Sequence, residues 1–307
     1  MTLQQLRYIA ALDRHRHFGK AADECLVTQP TLTMQLRKLE EEMGVVLFDR
    51  SRQPIVPTPA GTIILAKSRE ILQHAEQLYH FVRGEHTSVK GTFTVGVIPT
   101  LAPYLLSRFI PKFLVDYPET RLVIREIQTE RIIEQLKNGT IDIGILVTPL
   151  NESTIREVPL FNEPFEIYTR DTSIGNELAI EQLPTEGLML LEEGHCFRSQ
   201  ALELCGRREQ SGIHNLDYRS GSIESLKALV RRGLGYTLIP ALSATDEDAP
   251  YRRQFQAPAP VREVSLVVHQ SFVREQLLEV LRETIRAAVP QAYLDDSTYY
   301  KVRWRQI

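Results

Sequence analysis

Apolar residues near the start of the chain recur at three- and four-residue intervals. Leu3, Leu6, Ile9, Ala10 and Leu12 form one stripe, and Thr2 and Gln5 have the spacing of a capping box, so a short amphipathic helix is predicted. A second helix is predicted over Phe18 to Cys25, burying Phe18, Ala21, Ala22 and Cys25, with a turn at Leu26-Val27. Thr28 suits the cap of a third helix, Pro30 falls in its first turn where a missing N–H costs nothing, and Leu32, Leu36 and Leu39 form its buried stripe. Arg50 to Pro57, with two prolines and β-branched residues, suits a short hairpin or wing. Thr58-Pro59 then reads as the cap and first turn of a long helix reaching about His86. Along it Ile64, Ile71 and Leu78 repeat every seven residues, with Leu72, Ala75, Tyr79 and Val82 alongside, as in a coiled-coil seam.

From Gly91 the pattern changes to alternating strands and helices. Strands are predicted at Thr92 to Ile98, Arg121 to Ile127, Ile141 to Val147, Glu166 to Thr169, Leu188 to Leu191, Tyr236 to Ile239 and Val264 to Val268. Helices are predicted from Leu101, over Glu130 to Asn138, and at the end over Gln276 to Val289. Such alternation favours parallel βαβ units.

With 307 residues the chain is long enough for two or three folded units. No stretch of eighteen apolar residues occurs, so no membrane partner is expected, and the start lacks a signal pattern, which makes the cytoplasm the expected location. Three cysteines, Cys25, Cys196 and Cys205, are too few and too uneven for a disulfide scaffold and fit a reducing compartment. The formal charge is -3; residues 1–90 carry 12 Lys+Arg against 10 Asp+Glu, or +2, which leaves -5 for the rest. That bias towards a basic N-terminus is weak.

Two short helices at a tight turn, the second opening at Thr28-Gln29-Pro30-Thr31, have the shape that lies in a major groove. Gln29 can pair bidentately with adenine, the methyl groups of Thr31 and Thr33 can touch thymine, and Arg37 can hold guanine or phosphate. Any small helical bundle shows similar stripes, so periodicity alone leaves that alternative open. The run Phe18, Ala21-Ala22, Val27 to Leu32, Leu36, Leu39-Glu40, Gly44, Leu47-Phe48, Arg50 and Thr58 to Gly61 resembles the signature of LysR-type regulators. The resemblance implies an α/β fold class in three parts: an N-terminal all-α winged helix-turn-helix over 1–58, a linker and dimerisation helix over 59–88, and a regulatory domain over 91–307. The last resembles periplasmic binding proteins, with lobe I at about 91–163 and 268–307 and lobe II at about 164–267. Thr28, Gln29, Pro30, Thr31, Thr33, Arg37, Arg50 and Arg52 are the expected DNA-binding residues, with promoter DNA as partner.

Leu190 to Gln200 carries the other candidate chemistry. Cys196 follows a strand and opens a helix, so the helix N-terminus together with His195 and Arg198 would favour thiolate. Peroxide converts a thiolate to sulfenic acid, which a second thiol can condense with to form a disulfide. If the intervening residues are helical, the nine-residue spacing to Cys205 is about 13 Å. A disulfide tolerates Cα atoms no more than about 7 Å apart, so closure would require the segment to unwind or move. Both thiols could equally be small buried hydrophobes, or His195, Cys196, Cys205 and His214 a zinc site, although no Cys-x-x-Cys spacing supports the latter.

Gly194-His195-Cys196, Arg198, Gln200, Cys205 and Gly233-Leu234-Gly235…Leu238-Ile239-Pro240 resemble the hydrogen peroxide-sensing OxyR branch of the LysR-type family. This implies a peroxidatic Cys196, a resolving Cys205, a peroxide pocket of Thr100, Thr129, His195, Arg198 and Arg262, and no metal or cofactor. It further implies control of oxidative stress defence genes by a non-enzyme acting as a homodimer or homotetramer with RNA polymerase. Thr100 and Thr129 also have the spacing of helix N-caps. Ser199 stands where some members of the branch carry an acid, and the tail Asp295 to Ile307, with Trp304 among Lys301, Arg303 and Arg305, matches no pattern. Two other readings are a regulator binding a small organic effector between its lobes and a thiol peroxidase.

Overall fold

The computed structural model describes residues 1–82, 88–184, 186–206, 218, 220–295 and 299–302. It contains two compact units, Met1–His86 with Lys137–Gly139, and residues 87–136 with 140–307.

In the first unit α1 (Leu3–His15) opens with the capping box expected of Thr2 and Gln5, α2 spans Phe18–Glu24, and α3 spans Gln29–Met43 with Thr28 as N-cap. The inward stripes of α1 and α3 meet in one core in which Leu6, Ile9, Leu12, Ala21, Leu32, Leu36 and Leu39 are buried. Each fully buried leucine contributes about 1.5–3 kcal/mol. The wing is a minimal ladder of β1 (Phe48–Asp49) and β2 (Val56–Pro57). Helix α4 (Pro59–Val82) starts where the Gly61 N–H donates to the Thr58 hydroxyl at 2.9 Å. A Cβ on Gly61 would lie 2.0 Å from the Leu47 carbonyl oxygen, so only glycine lets α4 come this close to the wing. Leu65, Ile64 and Leu72 pack on the reader core, which leaves Ile71, Leu78 and Tyr79 as the exposed part of the predicted seam. The Val82 side chain and residues 83–87 lie outside the described residues.

The second unit is built on β3 (Gly91–Val97), α5 (Ala102–Asp116), β4 (Thr120–Glu126), α6 (Thr129–Lys137), β5 (Ile143–Thr148) and β6 (Ile155–Thr169). It continues through β7 (Glu177–Leu178), β8 (Leu188–Met189), α7 (Cys196–Leu204), α8 (Ile223–Arg231), β9 (Tyr236–Pro240), β10 (Arg252–Phe255), β11 (Ala259–His269), α9 (Glu275–Ala287) and β12 (Tyr299–Lys301). Strands β4, β3 and β5 are parallel, as the alternation predicted. The next two are not: β6 and β11 are long and antiparallel to each other, and β11 is antiparallel to β5. The sequence marked only the last four residues of β6 and five of β11, because both strands are buried on two faces for much of their length and show little alternation.

Beyond Pro164, β6 pairs with β9 on one side and β10 on the other, so one strand runs through two sheets. Each sheet has its own hydrophobic cluster. One gathers β3, β5, α5, α6 and α9 around Phe109, Phe113, Ile132 and Leu281; the other gathers β9, α7 and α8 around Phe165, Phe197, Leu226 and Leu238.

The second cluster encloses charge. Lys227, 1% exposed, donates to the Ser243 carbonyl at 2.9 Å and pairs with the fully buried Asp248 at 2.7 Å, while Arg231 and the Tyr168 hydroxyl also reach Asp248. Burial alone would raise the Asp248 carboxyl; bonds from Lys227, the Thr245 N–H, Tyr168 and Arg231 outweigh it and hold the group well below the usual carboxylate range. A depressed pKa in the folded state gives stability that is fully present above the unfolded value, about 4, and lost as pH falls through the folded one. Asp248→Asn removes the buried carboxylate that Lys227 and Arg231 share, leaving Lys227 only the exposed Glu224 at 3.0 Å, and is expected to cost about 3–5 kcal/mol in urea unfolding at pH 7. The loss should shrink as the wild type is titrated below about pH 4.

Candidate functional site

Helix α7 begins at Cys196 because the chain turns sharply before it. Gly194 has φ +92 and His195 is extended at φ -90, ψ 122, with no side chain capping the helix. A Cβ on Gly194 would lie 2.9 Å from the Gln128 amide, so any larger residue there would push against the loop leading into α6. The first N–H groups of α7, those of Cys196 and Phe197, face the Cys196 sulfur. The thiol itself is buried, 4% exposed.

Arg262 on β11 supplies the positive charge that acts on this sulfur. Its guanidinium donates to the Thr100 hydroxyl at 2.9 Å and the Thr100 carbonyl at 3.0 Å, and to Glu163 Oε2 on β6 at 2.8 Å. Glu163 is fully buried and its other oxygen accepts from the Leu242 N–H at 2.9 Å. The Arg262 guanidinium also lies over the Phe197 ring, 5.3 Å from its centre, and Phe197 stacks on Phe165 at 5.1 Å. Thr129 completes the arrangement: its buried hydroxyl has no hydrogen-bond partner in good geometry among the described residues, and it lies close enough to the Cys196 sulfur to favour thiolate. Burial nonetheless dominates and pushes the Cys196 thiol above its ordinary value, with Arg262 the largest opposing influence, then Thr129 and the two N–H groups.

The sequence placed these residues near the sulfur but misassigned some of their bonding. Thr100 caps no helix; the N-cap of α5 is Leu101 without a side-chain bond, and the Thr100 hydroxyl belongs to Arg262. Thr129 is the first residue of α6 rather than the cap before Glu130. Arg198, expected to favour the thiolate, directs its guanidinium to the Leu191 carbonyl at 2.9 Å. His195 is buried, with Nε2 3.8 Å from the Glu192 carboxylate; desolvation lowers its pKa more than Glu192 raises it, which favours the neutral ring. Glu163 and Phe197 were missed, since a glutamate in an apolar strand and a phenylalanine beside a cysteine carry no motif.

No disulfide joins Cys196 and Cys205, which are both buried. The α7 helix separates them, with the Cys205 N–H closing it on the Ala201 carbonyl at 3.0 Å, so their Cα atoms are about 13 Å apart along the axis. They belong to different hydrophobic clusters, Cys196 to the first and Cys205 to the second. Among the described residues no group of three or more His, Cys, Asp and Glu could hold a metal ion; His214, once grouped with them, lies outside those residues. Cys25 closes α2, half-buried against the reader core, and burial raises its thiol.

In the first unit Thr28, Gln29, Pro30 and Arg37 are exposed along α3. Thr31 shares a 2.8 Å bond with the Thr28 hydroxyl, and Thr33 donates to the Gln29 carbonyl at 2.9 Å. Both hydroxyls are therefore engaged on the helix itself. Gln29, Pro30, Thr33, Met34, Arg37, Lys38 and Glu41 line one groove, of which Met34, Lys38 and Glu41 are not among the expected DNA-binding residues. Arg50 is committed elsewhere, to Glu40 at 2.5 Å and over the Phe18 ring, whereas Arg52 is largely exposed beside Asp49.

A winged helix-turn-helix unit followed by two α/β sheets around a buried thiol defines a DNA-binding regulator with an attached sensor. Residues 3–62 match the family described as bacterial regulatory helix-turn-helix protein, lysR family, and residues 86–290 match the LysR substrate binding domain. The chain is 35% identical to the hydrogen peroxide-inducible genes activator of Pectobacterium carotovorum, across 96% of this chain and 99% of that one. It is also 35% identical to the DNA-binding transcriptional dual regulator OxyR of Escherichia coli, across 94% and 95%. A full-length OxyR cysteine variant from Pseudomonas aeruginosa superposes with TM-score 0.81 at 34% identity, covering 94% of this chain and 99% of that one. A hydrogen peroxide-bound cysteine mutant of Corynebacterium glutamicum OxyR gives 0.60 at 30%, covering 94% and 92%. The chain belongs to the LysR-type family of transcriptional regulators, in its OxyR branch.

Because Arg262 is the main influence opposing burial, Arg262→Met, made together with Glu163→Gln so that no buried carboxylate is left unpaired, is expected to slow oxidation of Cys196 by peroxide at pH 7 by leaving less of the sulfur as thiolate. In the wild type the rate should rise with pH, since a raised thiol pKa leaves less thiolate at neutrality. Stopped-flow peroxide consumption from pH 6 to 9.5 in a Cys205→Ser background checks both; a rate that is flat across this range would contradict the assignment.

Proposed function

We propose that this chain is a DNA-binding transcriptional regulator that senses hydrogen peroxide through a reversible Cys196–Cys205 disulfide and controls oxidative stress defence genes. The observation that carries the reading is that two buried thiols sit at opposite ends of one helix, in two different cores.

The Cys196 thiolate attacks one peroxide oxygen; the O–O bond breaks, hydroxide leaves and takes up a proton as water, and the sulfur becomes sulfenic acid. Thr129 and the α7 N–H groups hold the thiolate, and Arg262 supplies positive charge where hydroxide develops. Cys205 then attacks that sulfur, the S–O bond breaks, water leaves and the disulfide forms. About 13 Å must shrink to under about 7 Å, so α7 unwinds and Phe197, Ala201 and Leu204 leave their packing. One oxidation per reduction cycle suits signalling rather than turnover, so we assign no enzyme activity.

On this reading α3 enters the major groove of promoter DNA in the cytoplasm, and the exposed Ile71, Leu78 and Tyr79 on α4 join a second copy. A homodimer, paired into a homotetramer and acting with RNA polymerase, is the working assembly.

Free-thiol counting by mass spectrometry after one equivalent of peroxide should show the loss of two thiols, at Cys196 and Cys205. Cys196→Ser should bind operator DNA normally yet lose peroxide-dependent gene control; induction persisting in that variant would defeat the reading. Thermal stabilisation by a small organic ligand with all thiols retained would favour an effector-binding regulator instead. At the DNA face, Arg37→Ala should weaken binding by about 1–3 kcal/mol if it reads a base; if it holds phosphate, the salt slope should fall by about 1.

A further inference from the structure

Near its C-terminus the chain returns to the redox helix. Strand β12 adds to β11 in parallel, with Tyr299, Tyr300 and Lys301 opposite Ala259, Pro260 and Val261, on the side of β11 away from β6. Lys301 pairs with Glu263 at 2.6 Å, and the Tyr299 hydroxyl donates to the Ala292 carbonyl at 2.9 Å. The next residue, Val302, is bound on both sides of its backbone. Its N–H donates to the Val261 carbonyl at 2.9 Å, and its carbonyl accepts from the Gln200 side-chain amide at 2.8 Å. Gln200 is fully buried at the middle of α7, and the Val302 side chain, 2% exposed, shares the cluster of Phe197, Ala201, Leu204 and Cys205.

We propose that β12 and Val302 form a latch on α7, with Gln200 as its positioning residue: the tail holds the helix wound in the reduced state and must let go when the disulfide closes. This rests on the switch described above. Gln200 lies four residues into the nine that separate the cysteines, so it cannot keep its place while the two ends approach. Once it leaves, the buried Val302 carbonyl loses its donor and the Val302 side chain loses the inner face of α7. Among the described residues the attachment is then reduced to the three-residue strand β12, the Val302 N–H bond to Val261 and the Lys301–Glu263 pair, and so short a strand is marginal alone. The tail therefore sets how readily the helix opens.

The test keeps the protein reduced, with no peroxide, so that it is independent of whether the two sulfurs ever join. Wild type is compared with Gln200→Leu, with a chain ending at Asp295, and with the two changes combined. Alkylation of Cys205 by N-ethylmaleimide is followed by peptide mass spectrometry, and amide exchange is followed over α7 and over β9. Both single changes should speed Cys205 labelling and α7 exchange about tenfold, the combination should add little because both cut the same link, and β9 should exchange as in the wild type. Labelling at the wild-type rate in the chain ending at Asp295 would overturn the latch. So would exchange rising equally in β9, which signals general loosening. A second arm adds peroxide: the chain ending at Asp295 should close the disulfide about tenfold faster after sulfenic acid has formed, while sulfenic acid formation in a Cys205→Ser background is unchanged. If closure is not accelerated, the tail does not hold the switch; if no disulfide forms in any chain, the peroxide reading fails while the reduced-state result still decides the latch.

Discussion

Everything in the sensor turns on a buried ion pair. Arg262 and Glu163 have side chains 1% and 0% exposed, and neither could be placed there without the other, since an unpaired charge in such a site costs several kcal/mol. Such a pair is a poor way to gain stability, because a well-packed apolar pair often does as well. Its use lies in position. Arg262 and Glu163 come from two antiparallel neighbours, β11 and β6, directly opposite in register, and reach from there to Thr100 at the entry to α5 and to Leu242 beyond β9. Through Leu242 in the first hydrophobic cluster and Phe197 in the second, the pair touches both, and it sets a fixed positive charge that opposes the rise that burial imposes on the Cys196 thiol.

Against this rigid part, α7 is a short helix with little local support of its own. It starts without a side-chain cap and ends on a cysteine, and its residues are held by tertiary neighbours: Phe197 by Phe165 and Arg262, Gln200 by Val302, Arg198 by the Leu191 carbonyl. Helices of nine residues are marginal in water, so most of the stability here comes from packing. A helix of that kind can be unmade locally while the sheets beside it persist, which suits the change of shape proposed for it.

The reader was legible in the sequence because its signals are local. Thr2 with Gln5, Thr28 before Pro30, and the leucines of α3 act within one or two turns, and each was found where the spacing put it. The sensor's chemistry was legible as residue types and less so as bonds. Thr100 looked like a cap by its place before a helix, but its partner Arg262 stands 162 residues away, a distance no window of sequence spans. Arg198 was credited with a charge effect because it is near Cys196 in sequence, yet helix geometry turns it towards Leu191. The long strands β6 and β11 hid their length because strands buried on two faces lose the period-two pattern, and β12 was too short to show any.

The division of the two sulfurs between separate cores has a mechanical meaning. If they are linked as proposed above, at least one is dragged from the apolar surroundings in which it rests, and the neighbouring side chains are displaced with it, so that the oxidised form would be a wound spring held by a single covalent catch. Any cellular reductant that cuts the catch need supply nothing more: the displaced phenylalanine, alanine and leucine drive the recoil as they return to the dark interior. Resetting is in this sense passive, and how fast the alarm falls silent is decided by how well those side chains fit the places they left.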